Sequence, residues 1–148
     1  MRVLFVCNAN VGRSQVAQVY FDQLSSHESS GAGMAVDEIN ARLNLPSNKL
    51  KDAAKRPLEY IQREFGVDIS ERERRQLTPQ MMEESDMVII INEKEMWPDY
   101  VKKGGKVVFW DTPCLFRSLG SCRGHCNARC GETTNGELRN PPNVLLKI

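Results

Sequence analysis

The sequence predicts an α/β fold, a three-layer domain in which helices flank a four-stranded parallel sheet. The first observation behind this prediction is a set of short apolar runs within 3–6, 86–91 and 106–110, which are typical of strands buried on both faces of a parallel sheet. The second is that stretches with helical spacing separate these runs. Strands alternating with helices imply right-handed βαβ units, whose ligands bind beyond the carboxyl ends of the strands.

The first strand, loop and helix carry the strongest functional signal. Val3 to Val6 form an apolar run, and Cys7 follows it directly. Five small or polar residues then lead to Arg13 and Ser14, and a helical pattern runs from about residue 13 to residue 24. The layout is therefore strand, tight loop and helix, and the loop reads C-x5-R-S.

The residue types in this loop suit an anion-binding site with a nucleophile. A loop that enters a helix directs several backbone N–H groups into one concavity, which binds anions. Arg13 can form bidentate hydrogen bonds with two oxygens of the anion. Cys7 lies where the helix dipole and the guanidinium favour a thiolate. Ser14 can donate a hydrogen bond to the sulfur, Asn10 can tie the loop backbone together, and Gly12 can take a positive φ or permit close backbone approach. The predicted phosphate-binding residues are Asn8, Ala9, Asn10, Val11, Gly12 and Arg13.

In this context Cys7, Asn10, Arg13 and Ser14 resemble the low-molecular-weight protein tyrosine phosphatases, whose fold also serves the thioredoxin-coupled arsenate reductases. The likeness covers about residues 1–113. It extends through the segments Gly66-Val67-Asp68-Ile69-Ser70, Arg75-Gln76-Leu77-Thr78, Ser85-Asp86-Met87-Val88-Ile89-Ile90 and Trp110-Asp111. The resemblance implies a phosphomonoesterase that forms a phosphocysteine on Cys7 and acts on phosphotyrosine in a protein or on a small aryl phosphate.

The middle of the chain predicts further helices and one weak strand. Residues 31–36 are a candidate second strand, and the amphipathic stretch 37–56 is interrupted by a turn around Pro46. Pro57 suits the first position of a helix that ends at Gly66. A further short helix begins with Thr78 as its N-cap, has Pro79 at its first position and continues through Glu84.

Composition excludes several classes of function. The chain has 148 residues and a net charge of +1, which gives no electrostatic case for binding nucleic acid or an anionic membrane. It shows neither an apolar run of membrane-spanning length nor a signal-peptide pattern, so we expect a cytoplasmic protein. A thiolate nucleophile fits that reducing compartment. We expect no cofactor, and inorganic phosphate or sulfate as a ligand of the loop.

The last part of the chain changes character, which divides it into a phosphatase-like domain at 1–113 and an irregular tail at 114–148 rich in Cys, Gly and Asn. Four of the five cysteines lie in this tail. The tail is interpreted first as an altered, for example frame-shifted, terminus, and otherwise as a disordered or redox-active extension. A third alternative is zinc binding by Cys122, His125, Cys126 and Cys130, although their spacing matches no strong zinc signature, and we predict no metal.

The general acid is the weakest part of the resemblance. In the family, an Asp-Pro pair follows a few residues after the tryptophan that aligns with Trp110. The aspartate of this pair protonates the leaving oxygen. Here that pair falls on Cys114-Leu115. Asp111 is the nearest carboxylate at the end of the fourth strand. It either acts as the acid or only caps the following turn.

Two other functions stay open beside the phosphatase. An arsenate reductase would use the same anion cradle but needs further thiols to pass a disulfide to thioredoxin, and residues 88–105 contain no cysteine. A phosphate-binding pseudo-enzyme would recognise phosphorylated proteins without efficient turnover, because loss of a general acid lowers the rate by about 10²–10⁴-fold.

Overall fold

A computed structural model of the chain describes residues 1–92, 94–102 and 105–111. Its centre is one four-stranded sheet with the strand order β2-β1-β3-β4. All three neighbouring pairs are parallel, which confirms the predicted sheet. The strands are β1 (Arg2–Cys7), β2 (Glu28–Gly33), β3 (Met87–Ile90) and β4 (Val107–Phe109).

Six helices and one 3₁₀ turn connect the described strands. They are α1 (Arg13–Leu24), α2 (Val36–Leu43), α3 (Leu50–Ala53), α4 (Lys55–Phe65), α5 (Pro79–Glu84), the 3₁₀ turn Lys94–Met96 and α6 (Asp99–Lys102). Among the described residues, no helix is both long enough and apolar enough to cross a membrane.

The sheet is buried on both faces, as the continuous apolar runs predict. In β1, Leu4, Phe5 and Val6 are fully buried. Leu4 and Val6 belong to a cluster that includes Met82 of α5 and Val101 of α6. Phe5 faces the opposite way and makes an edge-to-face contact with Phe21 of α1, with 5.5 Å between the ring centroids. Successive strand residues point to opposite faces, so the helices form one layer on each side of the sheet.

Several local predictions are confirmed at the helix ends. Helix α1 spans Arg13–Leu24, and α4 is followed by Gly66 in the left-handed region at φ 69°. Thr78 caps α5 by accepting a hydrogen bond from the Met81 N–H, and Pro79 occupies the first position of that helix. Pro57 does not occupy the predicted first position of its helix, because α4 begins two residues earlier at Lys55. Its missing N–H still falls among the first-turn donors that have no partner within a helix.

The predicted second strand is displaced in the structure. The sequence predicts 31–36, but β2 spans Glu28–Gly33 and Val36 begins α2. The cause is backbone pairing with β1, which aligns Arg2 with Glu28 and Cys7 with Gly33. This pairing outweighs the weak strand propensity of residues 28–30. The predictions for the tail at 114–148, including the domain boundary and the zinc alternative, lie outside the described residues.

The strand order fixes where a ligand is expected. The chain passes from β1 to β2 on one side, and β3 then pairs with the other side of β1. The carboxyl end of β1 is therefore the topological switch point, where parallel sheets bind ligands. The loop from residue 8 to residue 12 begins at this point, and we call it the phosphate loop below.

Candidate active site

Cys7 and Ser14 lie at the two ends of the phosphate loop and face each other. Cys7 ends β1 with only 3% of its surface exposed, and its Sγ lies 3.1 Å from the Oγ of buried Ser14. The Nδ2 of Asn10 donates to the same Oγ at 3.0 Å. The Ser14 Oγ thus accepts from Asn10 and still has its own hydrogen and a second lone pair, so either partner can donate in its contact with the sulfur.

Asn10 organises the loop backbone. It is fully buried and has a positive φ of 52°, a conformation that asparagine adopts more readily than most residues. Its Oδ1 accepts from the backbone N–H of Arg75 at 3.2 Å, which fixes the orientation of the amide. Its own carbonyl accepts from Nε2 of Gln15 at 3.3 Å. The predicted loop-tying role of Asn10 thus has a geometric basis. Of the two roles predicted for Gly12, a positive φ or close backbone approach, the positive φ is not found, since its φ is −119°.

The N-terminus of α1 offers backbone donors to the concavity. Within the described chain, the backbone N–H groups of residues 8–12, Ser14 and Gln15 donate to no backbone oxygen. The carbonyl of Gly12 accepts from Val16 at 2.9 Å, so helical bonding starts there. Unpaired N–H groups and the positive end of the helix dipole make this end of α1 suitable for an anion.

Arg13 occupies the first position of α1 and reaches toward β3. Its Nη2 donates to Oδ1 of Asn92 at 3.3 Å. Asn92 follows β3, is 1% exposed, and also contacts the Sδ of Met34 through its Nδ2 at 3.6 Å. Because Asn92 is neutral, this contact orients the guanidinium without cancelling its charge.

Asp111 lies at the same edge of the sheet but outside this cluster. Val6, Ile90 and Phe109 are aligned across β1, β3 and β4, so Asp111 lies just past the level of Cys7 and two strands away. Two strand spacings amount to roughly 10 Å between backbones. Asp111 is exposed, and within the described residues it forms no hydrogen bond with the loop. The structure thus brings Cys7, Asn10, Arg13 and Ser14 together and leaves Asp111 at the rim.

An aromatic group lies on the β4 side of this rim. The Nε1 of Trp97 donates to the carbonyl of Asn92 at 3.0 Å, and its ring meets Phe109 edge to face at 5.6 Å. The Nζ of Lys94 lies 4.8 Å from the centre of the Phe109 ring. These contacts connect the residue that holds Arg13 to the end of β4.

Two glycines of β2 have a role that the sequence interpretation missed. A Cβ on Gly33 would lie 2.7 Å from the carbonyl oxygen of Asn8 and 2.8 Å from the backbone nitrogen of Asn10. A Cβ on Gly31 would lie 2.9 Å from Nδ2 of Asn10. Gly33 is required for the close approach because the atoms its Cβ would meet include loop backbone, whereas Gly31 leaves room for the Asn10 and Gln18 side chains. Two glycines spaced by two within a strand were the available signal, since they mark close backbone approach on one face.

Gln15, Arg75 and Asn92 were also missed as supports of the site. Asn92 follows directly after the second apolar run, at a strand carboxyl end, and this position is a usable signal. Gln15 and Arg75 gave no such signal. Gln15 looks like an ordinary polar helix residue, and Arg75 acts on Asn10 through its backbone N–H rather than its side chain.

Together, the parallel sheet, the cysteine that ends β1 and the anion-cradling loop that enters α1 define the class of small cysteine-dependent phosphatase folds. The family model for low molecular weight phosphotyrosine protein phosphatase matches residues 2–103. The chain belongs to this family. A comparison with curated protein sequences gave no significant match.

Solved structures support the same fold. A low molecular weight protein tyrosine phosphatase from T. tengcongensis is 24% identical, with 74% of this chain and 72% of that chain covered and a TM-score of 0.52. Wzb of Vibrio vulnificus, solved with benzylphosphonate, is 23% identical, with 73% and 71% covered and a TM-score of 0.57. The thioredoxin-dependent arsenate reductase of Corynebacterium glutamicum is 27% identical, with 80% and 53% covered and a TM-score of 0.54.

Proposed function

We propose that this chain is a phosphomonoesterase that acts on aryl phosphates, with phosphotyrosine in proteins as its substrate class and Cys7 as its nucleophile. The observation that carries the proposal is the position of the Cys7 sulfur, which lies 3.1 Å from the Ser14 hydroxyl at the carboxyl end of β1, where the phosphate loop begins. Membership of the phosphotyrosine phosphatase family supports the reaction class. The benzylphosphonate bound to Wzb, an analogue of an aryl ester, supports the substrate class.

Substrate binding would use the charge and the donors of the phosphate loop. The backbone N–H groups of residues 8–13 surround the equatorial oxygens of the phosphoryl group, and Arg13 binds two of them through its planar guanidinium. The contact with Asn92 holds Arg13 near the end of β3 before substrate arrives. A prearranged cradle of this kind stabilises the charge of the transition state without reorganisation.

The first chemical step would transfer the phosphoryl group to sulfur. The Cys7 thiolate attacks phosphorus, the S–P bond forms, and the P–O bond to the leaving group breaks. The leaving oxygen takes a proton from the carboxyl group of Asp111, which becomes a carboxylate. The Ser14 hydroxyl lies within hydrogen-bond distance of the attacking sulfur and can donate to it once it is a thiolate.

The second step would release inorganic phosphate. Water attacks the phosphorus of the phosphocysteine while Asp111 accepts a proton from it, and the S–P bond breaks to regenerate the thiolate. In this step the Ser14 hydroxyl donates to the sulfur as negative charge returns to it. The exposed position of Asp111 allows a water molecule to reach its carboxylate.

Turnover of p-nitrophenyl phosphate tests this proposal. We expect the wild type to hydrolyse it and Cys7→Ser to lose at least about 10⁴-fold in kcat, because a serine hydroxyl is a far weaker nucleophile than a thiolate. The control is Ser26→Ala, at an exposed position outside the loop, which should keep full activity. Turnover that survives in Cys7→Ser would overturn the assignment of the nucleophile.

Thioredoxin-coupled arsenate reduction is a second candidate, favoured by the 27% identity to the Corynebacterium glutamicum enzyme. Arsenate would occupy the same cradle, but the reaction needs further thiols, and Cys7 is the only cysteine before residue 114. Arsenate reduction that depends on thioredoxin and is lost on replacing a tail cysteine would favour this candidate. Phosphate binding without turnover of any aryl ester would instead indicate a binding module.

A further inference from the structure

A second polar cavity lies behind the phosphate loop, on the side of β2. Its volume is about 290 Å³, several times that of a phosphate ion. Its walls come from α1, from β2 and from the segment that follows Ile69. The lining residues are Gln15, Gln18, Gly31, Arg72, Glu73 and Arg75.

Two arginines bring positive charge to this cavity. The pKa of Arg72 is lowered by burial and, to a smaller extent, by the positive charge of Arg75, while Asp22 acts to raise it. The two guanidinium groups are therefore close enough to repel each other. In the described part of the chain neither forms a salt bridge. The charge of Asp22 acts on Arg72 more strongly than that of Arg75 does, but without a direct ion pair both guanidinium groups stay available to bind an oxyanion.

The arginines are held in place by single neutral contacts that leave other N–H groups available. The Nη1 of Arg72 donates to Oε1 of Gln15 at 3.1 Å, and the Nε of Arg75 donates to the carbonyl of Gly31 at 3.3 Å. Each guanidinium carries five N–H donors in total. Several of these donors therefore have no acceptor among the described residues, and an oxyanion in the cavity would satisfy them.

Gln18 places a buried hydrogen-bond acceptor in the wall of the same cavity. Its side chain lines the cavity and is 8% exposed, yet its Oε1 is buried and has no hydrogen-bond partner in the described structure. A buried acceptor without a donor is unfavourable because it has lost its hydrogen bonds to water and gained none in return. A ligand that carries both a negative charge and an O–H or N–H donor would satisfy Gln18 and the two arginines together.

We propose that this cavity is a second oxyanion site, separate from the phosphate loop, that binds hydrogen phosphate or the phosphate group of a small hydroxyl-bearing ester. Arg72 and Arg75 bind the unprotonated oxygens, and a ligand hydroxyl donates to Gln18. Glu73 also lines the cavity and is its one acidic wall residue, but its charge acts on Lys49 as well, whose pKa it helps to raise. The cavity exceeds the size of inorganic phosphate, which leaves room for an ester group.

Because Gln18 accepts a hydrogen bond, the site favours oxyanions that carry an O–H or N–H donor. Positive charge alone would not distinguish such oxyanions from others. Inorganic phosphate near neutral pH keeps a proton, whereas sulfate of almost the same shape has none. We therefore expect phosphate to bind at least about tenfold more tightly than sulfate, since a hydrogen bond to the buried acceptor is worth about 1.4 kcal/mol or more. In Gln18→Leu this preference disappears.

Calorimetric titration in an Arg13→Ala background tests the proposal, because this variant weakens binding in the phosphate loop. We expect one equivalent of inorganic phosphate to bind to it at neutral pH. Adding Arg72→Gln weakens that binding at least about tenfold, and adding the more exposed Arg75→Gln does the same with less risk to folding. Lys55→Gln, which removes an exposed cation on α4, is the matched control and leaves the affinity unchanged.

The results of this binding experiment do not depend on whether the catalytic proposal is correct. Binding that is lost with either arginine, in a protein of unchanged thermal stability, supports the second site whether or not Cys7 turns over substrate. Absence of phosphate binding in the Arg13→Ala background overturns it. Binding that is indifferent to both arginines, or equal affinity for sulfate and phosphate, overturns it as well.

Discussion

The two sides of the phosphate loop are built very differently. On the β2 side, which we call the support side, Gln15, Gly31, Gly33 and Arg75 contact the loop directly through hydrogen bonds or close packing. On the β4 side, Asn92 accepts a hydrogen bond from Arg13 at the start of α1. The strand that ends at Cys7 and the strand that precedes Asp111 also differ in length and burial. Strand β1 has six residues, five of them buried, whereas β4 has three residues and none of them is buried.

The nucleophile and the general acid of the proposed reaction have different requirements, and they lie on different sides of the loop. A nucleophile must be held at a fixed place, and the support side contributes to this by holding Asn10, which donates to the hydroxyl next to the sulfur. A general acid must meet substrate, leaving group and water in turn, and Asp111 lies exposed at the end of the short edge strand. We therefore expect changes on the support side to affect folding and catalysis together, and changes on the β4 side to affect catalysis selectively.

The largest effect is expected for Asp111→Ala with a poor leaving group. Phenyl phosphate needs a proton on its leaving oxygen, so its kcat should fall by about 10²–10⁴-fold, whereas p-nitrophenyl phosphate should be affected much less. Steady-state kinetics with both esters measures the difference, and thermal stability should stay unchanged. Asp99→Ala, at an exposed carboxylate on α6, is the control. An equal loss on both esters would show that Asp111 is not the acid.

Gly33→Ala is expected to damage the support side. The added Cβ would meet Asn8, Asn10 and Val36 at 2.7–2.8 Å, and two of the atoms it meets belong to the backbone. Overpacking of this kind destabilises by about 1–3 kcal/mol. Urea denaturation should report this loss together with a lower kcat for p-nitrophenyl phosphate.

The matched control for that variant is Gly105→Ala, because no atom of the residues that the structure describes lies within 4 Å of its Cβ position. If Gly33→Ala were as stable and as active as Gly105→Ala, the close approach of the loop to β2 would not matter for the site.

The smallest effect is expected at the surface of the support side, where Glu71 bridges Lys49 and Lys51. The hydrogen bond from Lys49, followed by that from Lys51, lowers the pKa of Glu71 from 4.5 to about 2. Because the folded value lies below the unfolded one, the stabilisation is complete above pH 4.5 and is lost as the pH falls toward 2. Salt screens this exposed contact, so the effect should be small.

Urea midpoints of wild type and Glu71→Gln measure this contribution. The difference between the two proteins should be constant from pH 7 to about pH 5 and should shrink on further acidification. Glu38→Gln on α2 is the comparison variant that removes a carboxylate outside this contact. A Glu71→Gln difference that grows as the pH falls would contradict a stabilising contact between the Glu71 carboxylate and the two lysines.

The sequence was most informative where local chemistry determines the structure. Cys7, Asn10, Arg13 and Ser14 are close along the chain, so a strand, a tight loop and a helix are enough to bring them together. The bounds of α1 and the cap of α5 were predicted for the same reason, since they follow from residues within one helical turn. The displaced start of β2 shows the opposite case, because pairing with a distant strand decided it.

The remaining parts of the site depend on contacts over long sequence separations. The contact of Arg13 with Asn92 joins residues 79 positions apart, and that of Asn10 with Arg75 joins residues 65 positions apart. No local pattern predicts which backbone N–H will meet a buried amide. Gly31 and Gly33 could have been identified from their spacing, but the loop they accommodate comes from a different part of the chain.

The central claim is that the sulfur at the end of β1 becomes covalently phosphorylated during turnover. The most direct test is to quench the protein with acid while it hydrolyses p-nitrophenyl phosphate and to locate the phosphate by peptide mass spectrometry. We predict one phosphate per chain on the peptide that contains Cys7, attached to the sulfur of that residue. Turnover with no phosphate on Cys7, or phosphate on another residue, would contradict the account.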